Sequence, residues 1–309
     1  MRILVSLNLK EYPTFIPKSF EERFLLNTVV LKDSPFSKDF IKEIPISGLY
    51  CSVAFTLNEP LENTFFVKAC HGNQVVRACE DGSSLSADAH YISIPISTKQ
   101  SPQQCKKNLG IRTADCLAVA ICFENDKYFI GSLSHAGWKG LSSGILQNTL
   151  DKIKQEALQV GVKEAEFVQN LHVHIAPAIF GVSYECGSDV HDALLKHREN
   201  LFSQYQQATF YNSIYSDLIN INQDKILSGI IEKGNQKKIA DNKIFPDLQL
   251  LAALECIISG ISEQNIEILR ENTYSHPVLF SFREATHKKT DKNLRQWTHL
   301  RFPFVDQNL

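Results

Sequence analysis

Apolar residues come in short bursts separated by polar stretches, and the period of the bursts changes along the chain. Four β-prone segments, Arg2–Leu7, Leu49–Thr56, Thr64–Cys70 and Asp88–Ile96, predict strands, with Gly48 as the turn before the second. Ser97–Asn108, rich in Gln and Lys, predicts a loop. Cys116–Glu124 and Tyr128–Ser134 are apolar and β-prone, and Asn125-Asp126-Lys127 between them is good turn chemistry, so the pair predicts a β-hairpin. After Gly140 the period becomes helical. Leu141, Ile145, Thr149, Ile153 and Ala157 fall on one face, and Leu146, Leu150 and Leu158 widen the stripe, predicting one amphipathic helix that ends near Gly161. Leu171–Ile175 predicts a strand, and a helix follows from Ser188 through His197 and onward, with Ser188 as its N-cap. Asn220–Asp241 is polar and predicts a helix or surface excursion. Asp247–Ser259 predicts a helix, with Asp247 where a capping carboxylate is favoured and Gly260 where a C-terminal glycine is wanted. Asn265–Leu269 and Val278–Phe282 read as final strands. With no repeat and no linker, the pattern predicts one intertwined α/β domain over residues 1–309.

Composition narrows the function classes. The 309 residues are 43% hydrophobic and 21% charged, enough apolar material for a sizeable core. Thirty-two Lys and Arg against 34 Asp and Glu give a net charge of −2, which disfavours a general nucleic-acid binder, since that needs a dense positive field. There is no apolar run of about 20 residues, so no membrane span is expected. The first apolar run is interrupted by Lys10 and Glu11 too early for a secretory signal, which points to the cytoplasm and reduced thiols. The eight cysteines include no CxxC pair, against a zinc ribbon or thioredoxin motif, and most are expected to be small buried hydrophobes.

Three segments stand out chemically: Ala69-Cys70-His71-Gly72-Asn73, Thr113-Ala114-Asp115-Cys116-Leu117, and Ser134-His135-Ala136-Gly137-Trp138-Lys139-Gly140. Each places a histidine or cysteine at an element boundary beside a small residue. Two imidazoles and a thiolate (His71, Cys116, His135) make a good three-ligand zinc set with a fourth position open to water or substrate; copper suits this donor set less well. Singly, a histidine beside glycine is most simply a turn residue, and a cysteine heading an apolar strand is core. The combination gains weight because Cys116 opens one arm of the predicted hairpin and His135 closes the other. Asp115, adjacent to Cys116, either orients a ligand histidine, acts as a general base or simply serves a turn. Lys139 and the Gly137–Gly140 turn form a weak anion signal, for neither a Walker nor a dinucleotide glycine pattern is present. Arg283 is a further anion-site candidate, set against a plain surface arginine. His172 and His174 share a strand face, but one HxH pair without a His-Cys-His does not make a blue multicopper oxidase, and both are read as partly buried strand residues. No GxSxG supports serine hydrolysis, whereas a nucleophilic Cys116 paired with His71 or His135 stays open.

The segments CHGNQVV, TADCLAVAI, SHAGWKGL, HIAPAIFGVSYECGSDV, FPDLQLLAAL and LFSFREATHKKTDKNLRQW resemble the YfiH (PgeF) family of laccase-domain, or "multicopper polyphenol oxidase", proteins, from about Val67 to the end. The resemblance implies a layered α-β-β-α sandwich with mixed sheets, of the YfiH and cytotoxic-necrotizing-factor-like type, with residues 1–60 divergent and 61–309 matching. It implies zinc on His71, Cys116 and His135. It also implies a cytoplasmic purine-nucleoside enzyme that phosphorolyses adenosine, inosine, guanosine and methylthioadenosine and deaminates adenosine. For these reactions Asp115 is the candidate to shuttle the proton, and Lys139, the turn amides around Gly137–Gly140 and Arg283 are the candidates to hold phosphate. An amidase acting on UDP-MurNAc-amino acid precursors and a catalytically weak metal-binding scaffold are the alternatives. The chain departs from the family pattern: Ala69 stands where a Gln is usual, Lys139 where an Arg is usual, Asn272-Thr273 where a Cys-Thr pair is usual, and residues 1–60 lack a counterpart of the N-terminal Asn-Arg block.

Overall fold

The hairpin is the spine of the molecule. In the computed structural model, which describes residues 42–46, 49, 51–57, 59–78, 85–96, 107–219 and 243–302, strand β7 (Leu117–Glu124) pairs antiparallel with β8 (Tyr128–Ala136). The Asn125 side chain closes the turn by accepting from the backbone N–H groups of Lys127 and Tyr128 at 2.9 and 2.8 Å. Strands β5 (Ala89–Pro95) and β4 (Val75–Arg77) extend the sheet beyond β8, and β9 (Leu171–Ile175) and β10 (Ile266–Ile268) extend it beyond β7. The result is a six-stranded mixed sheet in the order β10-β9-β7-β8-β5-β4. A five-stranded mixed sheet is built from β1 (Lys42–Pro45), β2 (Ser52–Leu57), β11 (Gln296–Phe302), β6 (Lys107–Thr113) and β3 (Thr64–Phe66), in that order.

The alternation of β7 decides what packs on each side. Leu117, Val119, Ile121 and Phe123 enter a core shared with the helices, while Ala118, Ala120 and Cys122 face the other sheet. The smaller side chains sit between the sheets, where they meet Val53, Phe55, Leu109, Ile111 and Leu300. The rings of Phe129 and Phe302 stack at 3.8 Å across this interface. Each fully buried aliphatic side chain in these layers contributes about 1.5–3 kcal/mol.

The helical layer comprises α1 (Trp138–Ser142), α2 (Ile145–Gln159), α3 (Glu164–Gln169), α4 (Ser188–Gln204), α5 (Asn212–Ile219), α6 (Leu248–Ile258) and α7 (Phe282–Lys288). Asp247 caps α6 as expected, accepting from Leu250 N at 3.1 Å. None of the helices among the described residues is long and apolar enough to cross a membrane.

Several local expectations are corrected. The single helix expected after Gly140 is two, broken at Gly144, whose φ of +80° ends one helix and admits the next at a new angle. Ser188 is the first residue of α4 and Gly187 occupies the cap, with no side-chain cap bond. Thr64–Cys70 is a strand only as far as Phe66, after which Lys68 makes an isolated parallel bridge to Ser86. Val278–Phe282 is not a strand: Ser281 accepts from Glu284 N at 3.0 Å and starts α7 instead. Strand β11, unanticipated, lies at the centre of its sheet between β2 and β6. The predicted strand Arg2–Leu7 and the excursion Asn220–Asp241 lie outside the described residues.

Candidate metal centre

Antiparallel pairing brings the two ends of the hairpin together. Leu117 is opposite Ala136 and Ala118 opposite His135, which sets Cys116 beside Gly137. A side chain at Gly137 would place its Cβ 2.9 Å from Cys116 Sγ, so the glycine keeps room for the thiol. The third member arrives from the turn before β4. His71 holds a left-handed backbone, φ +61°, and its ring lies 4.9 Å from that of His135, nearly perpendicular. Nitrogen and sulfur ligand atoms of His71, Cys116 and His135 all fall within 4.8 Å of one another, so the group can hold a metal ion.

Asp88 assembles this group. Its buried carboxylate accepts from the backbone N–H groups of Cys70, His71 and Gly72, at 3.2, 2.8 and 2.7 Å, and from Cys70 Sγ at 2.9 Å. The same carboxylate meets His135 Nδ1 at 2.9 Å. One acid thereby fixes the turn that carries one imidazole and the ring orientation of the other. Because Nδ1 is engaged, Nε2 of His135 is the nitrogen left for an ion. Burial works against the Asp88 charge, but the hydrogen bonds from His135, Cys70, Gly72 and His71 outweigh it and hold the carboxyl well below the usual range. Burial likewise raises the Cys116 thiol, yet hydrogen bonds and positive charge from His135 and His71 bring it down to about 7, favouring the thiolate that binds metals. His135 is pushed up to about 9: burial lowers it, and the bonds to Asp88 and Cys116 prevail.

The group opens on a cleft of about 1080 Å³ whose walls include Asp115, Trp138, Lys139, Tyr184, Arg283 and Trp297. Asp115, also in left-handed backbone at φ +87°, is not one of the convergent ligand groups. It accepts from Thr273 Oγ1 and from Arg283 N, both at 2.7 Å, and so ties the start of α7 to the approach of β7. Arg283 lies over the Tyr184 ring at 5.8 Å and donates to the Glu185 carbonyl at 2.9 Å. Lys139 is exposed, with Nζ 5.5 Å from the Trp138 ring centroid. His172 and His174 belong elsewhere. They pair opposite Cys122 and Ala120, on the face that meets the second sheet, and His174 Nδ1 stands 3.7 Å from Glu267. Sequence reasoning missed Asp88 as the orienting acid. Its signal was an acid set between Ala87 and Ala89 at the head of an apolar strand, a place where a charge needs several partners.

The sequence that builds these two mixed sheets and the two-imidazole, one-thiol group matches a family model. The description of that family is multi-copper polyphenol oxidoreductase laccase; its model matches residues 50–239, and the chain belongs to it. Curated relatives include purine nucleoside phosphorylase RC0672 of Rickettsia conorii, 25% identical over 233 residues that cover 75% of each protein. Another is purine nucleoside phosphorylase YfiH of Escherichia coli, 25% identical over 171 residues, 53% of this chain and 61% of that one. Among solved structures, protein NMB0706 of Neisseria meningitidis aligns with a TM-score of 0.54 at 17% identity, over 86% of this chain and 99% of its own. YlmD from Geobacillus stearothermophilus aligns at 0.52 and 14% identity, over 83% and 92%. These two likenesses show the fold.

Proposed function

We propose that this protein is a zinc-dependent purine nucleoside phosphorylase, with His71, Cys116 and His135 as the ligands. The observation that carries the reading is the convergence of two imidazoles and a low-pKa thiol on a cleft large enough for a nucleoside. The naming of its relatives as purine nucleoside phosphorylases supports the substrate class. Adenosine, inosine, guanosine and methylthioadenosine are the candidate nucleosides, and phosphate attacks the anomeric carbon of the ribose as the base departs. Two imidazole nitrogens and a sulfur suit zinc, which when bound supplies a Lewis acid that polarises an oxygen or nitrogen of the substrate.

The residues of the chain do the rest. Asp88 holds His135 so that its second nitrogen faces the ligand group. Asp115, through the Arg283 backbone, keeps that arginine on the cleft wall, where it and Lys139 provide positive charge for phosphate. Each Asp115 oxygen accepts one hydrogen bond and keeps a lone pair, and adenosine deamination, with Asp115 carrying the proton, is the second reaction proposed for this cleft. A reducing compartment, the cytoplasm, keeps Cys116 available as thiolate.

The test is direct. Zinc-loaded protein incubated with inosine or adenosine and phosphate is expected to release hypoxanthine or adenine together with ribose 1-phosphate, resolved by chromatography. Cys116→Ala is expected to lose both bound zinc and turnover. Base release that proceeds without phosphate, or full zinc content in Cys116→Ala, would overturn the reading.

A further inference from the structure

The cleft wall formed by the second sheet carries a pair of arginines that the metal centre does not use. Arg112, near the end of β6, is directly opposite Trp297 in β11, so the two side chains share a face of the sheet. Arg295 lies two residues before Trp297, in the approach to β11, and both arginines line the same cleft as His71, Cys116 and His135. All the hydrogen bonds these guanidiniums make among the described residues go to main-chain carbonyls of one short turn. Arg112 Nη2 donates to Asn293 O at 3.4 Å, and Arg295 Nη1 donates to Lys292 O and Leu294 O at 2.5 and 2.7 Å. The remaining donors of each fork face no carboxylate within ion-pair distance among the described residues. Burial lowers the pKa of Arg295 and the neighbouring Arg112 charge lowers it further, while Cys116, Asp115 and Asp291 act in the opposite direction. Two guanidiniums anchored side by side on neutral carbonyls, at the wall of a cleft, form a fork suited to a doubly charged oxyanion.

We infer that Arg112 and Arg295 together form a binding site for a phosphate dianion in this cleft. The inference rests on the phosphorolysis reading for its biological meaning and adds Arg112 and Arg295 to Lys139 and Arg283 as residues that hold the co-substrate. Lysine in place of either arginine would keep the charge and lose the paired donors.

Equilibrium titration of the full-length protein with inorganic phosphate, without nucleoside, tests the site independently of turnover. Binding is expected for the wild type, about tenfold or more weaker binding for Arg112→Gln and Arg295→Gln, an intermediate loss for Arg112→Lys, and no change for Lys152→Gln, which removes an equal charge from the exposed face of α2. Far-UV circular dichroism checks that each variant folds. In turnover assays the same arginine variants are expected to raise the KM for phosphate and leave the KM for nucleoside within about twofold. Competition separates the sources of the dianion. A nucleoside 5′-monophosphate that displaces phosphate where the nucleoside does not shows the site accepting a phosphate ester; displacement by inorganic sulfate alone shows it accepting only the free ion. Both support the site. Phosphate that binds the wild type and both Gln variants alike, or fails to bind the wild type, overturns it. Arginine-dependent phosphate binding without any phosphorolysis would remove the functional reading and leave this site standing. Phosphorolysis with an unchanged phosphate KM in both variants would do the reverse.

Discussion

Two buried histidine–carboxylate pairs sit in different layers of the molecule. In the helical layer, His197 of α4 stands 3.2 Å from the fully buried Glu255 of α6. The same carboxylate accepts from Tyr215 OH at 2.9 Å and Gln147 Nε2 at 3.2 Å. At the hairpin end, His135 meets the fully buried Asp88 at 2.9 Å, and its other side looks onto Cys116, His71 and the cleft. Electrostatically the pairs are alike: burial lowers each histidine and a carboxylate outweighs it. What differs is the company. Glu255 is surrounded by donors, so its cluster is closed and holds helices together. Asp88 spends its remaining lone pairs on a turn that delivers a second imidazole, leaving an open side. A buried histidine beside an acid is therefore a common structural device, and it becomes a site where soft ligands and free space meet its far nitrogen.

That contrast can be broken experimentally. The largest effect is expected from Glu255→Leu. It leaves Tyr215 and Gln147 without their shared acceptor and His197 without its facing carboxylate inside the helical layer, and chemical denaturation should show a loss of about 3–5 kcal/mol. Metal content of the folded fraction should be unchanged; a parallel loss of metal would show that the clusters are coupled. Asp88→Asn is next. Asparagine keeps the shape but offers one acceptor oxygen in place of two, so competition with a chromogenic chelator should show metal affinity reduced about 10- to 100-fold. Unaltered affinity would mean that the ring of His135 is held by packing alone.

The smallest effect concerns pH. His197 has its pKa raised above the ordinary value of about 6.5 in the folded state, so its contribution to stability is full below that pH and is lost as pH rises through the folded value. Glu255 is the carboxylate that faces it, and burial together with Glu255 pushes Tyr215 far up and keeps it neutral. Melting temperatures measured from pH 6 to pH 8 should therefore fall less steeply for His197→Gln than for the wild type. Parallel curves would show that His197 is neutral when folded.

Much of this was legible beforehand because it was local. The hairpin followed from two apolar arms and an Asn-Asp turn, and antiparallel geometry then required Cys116 and His135 to share an end. The cap at Asp247 was likewise a matter of a few residues. His71 was different: its residue type was suggestive, but its approach depends on Asp88, a partner from another strand. The sheet partners of β11 are as remote, and its buried His299, 3.1 Å from Thr56 Oγ1, gave the segment a polar look. At Val278–Phe282 strand-forming side chains lost to a local capping bond, although Ser281 and Glu284 stood at capping-box spacing. Gly144 likewise marked a break that the strong apolar period concealed.

The left-handed backbone at His71 bears on how that ligand should be deleted. Any residue with a Cβ is strained at φ +61°, by about 1–2 kcal/mol, and the turn tolerates this because Asp88 grips three consecutive amides. Alanine would inherit that strain and asparagine would relieve part of it, but glycine alone removes both the imidazole and the conformational penalty. His71→Gly thus yields a protein whose loop is at ease and whose ligand is missing, a gap shaped for imidazole supplied from solution.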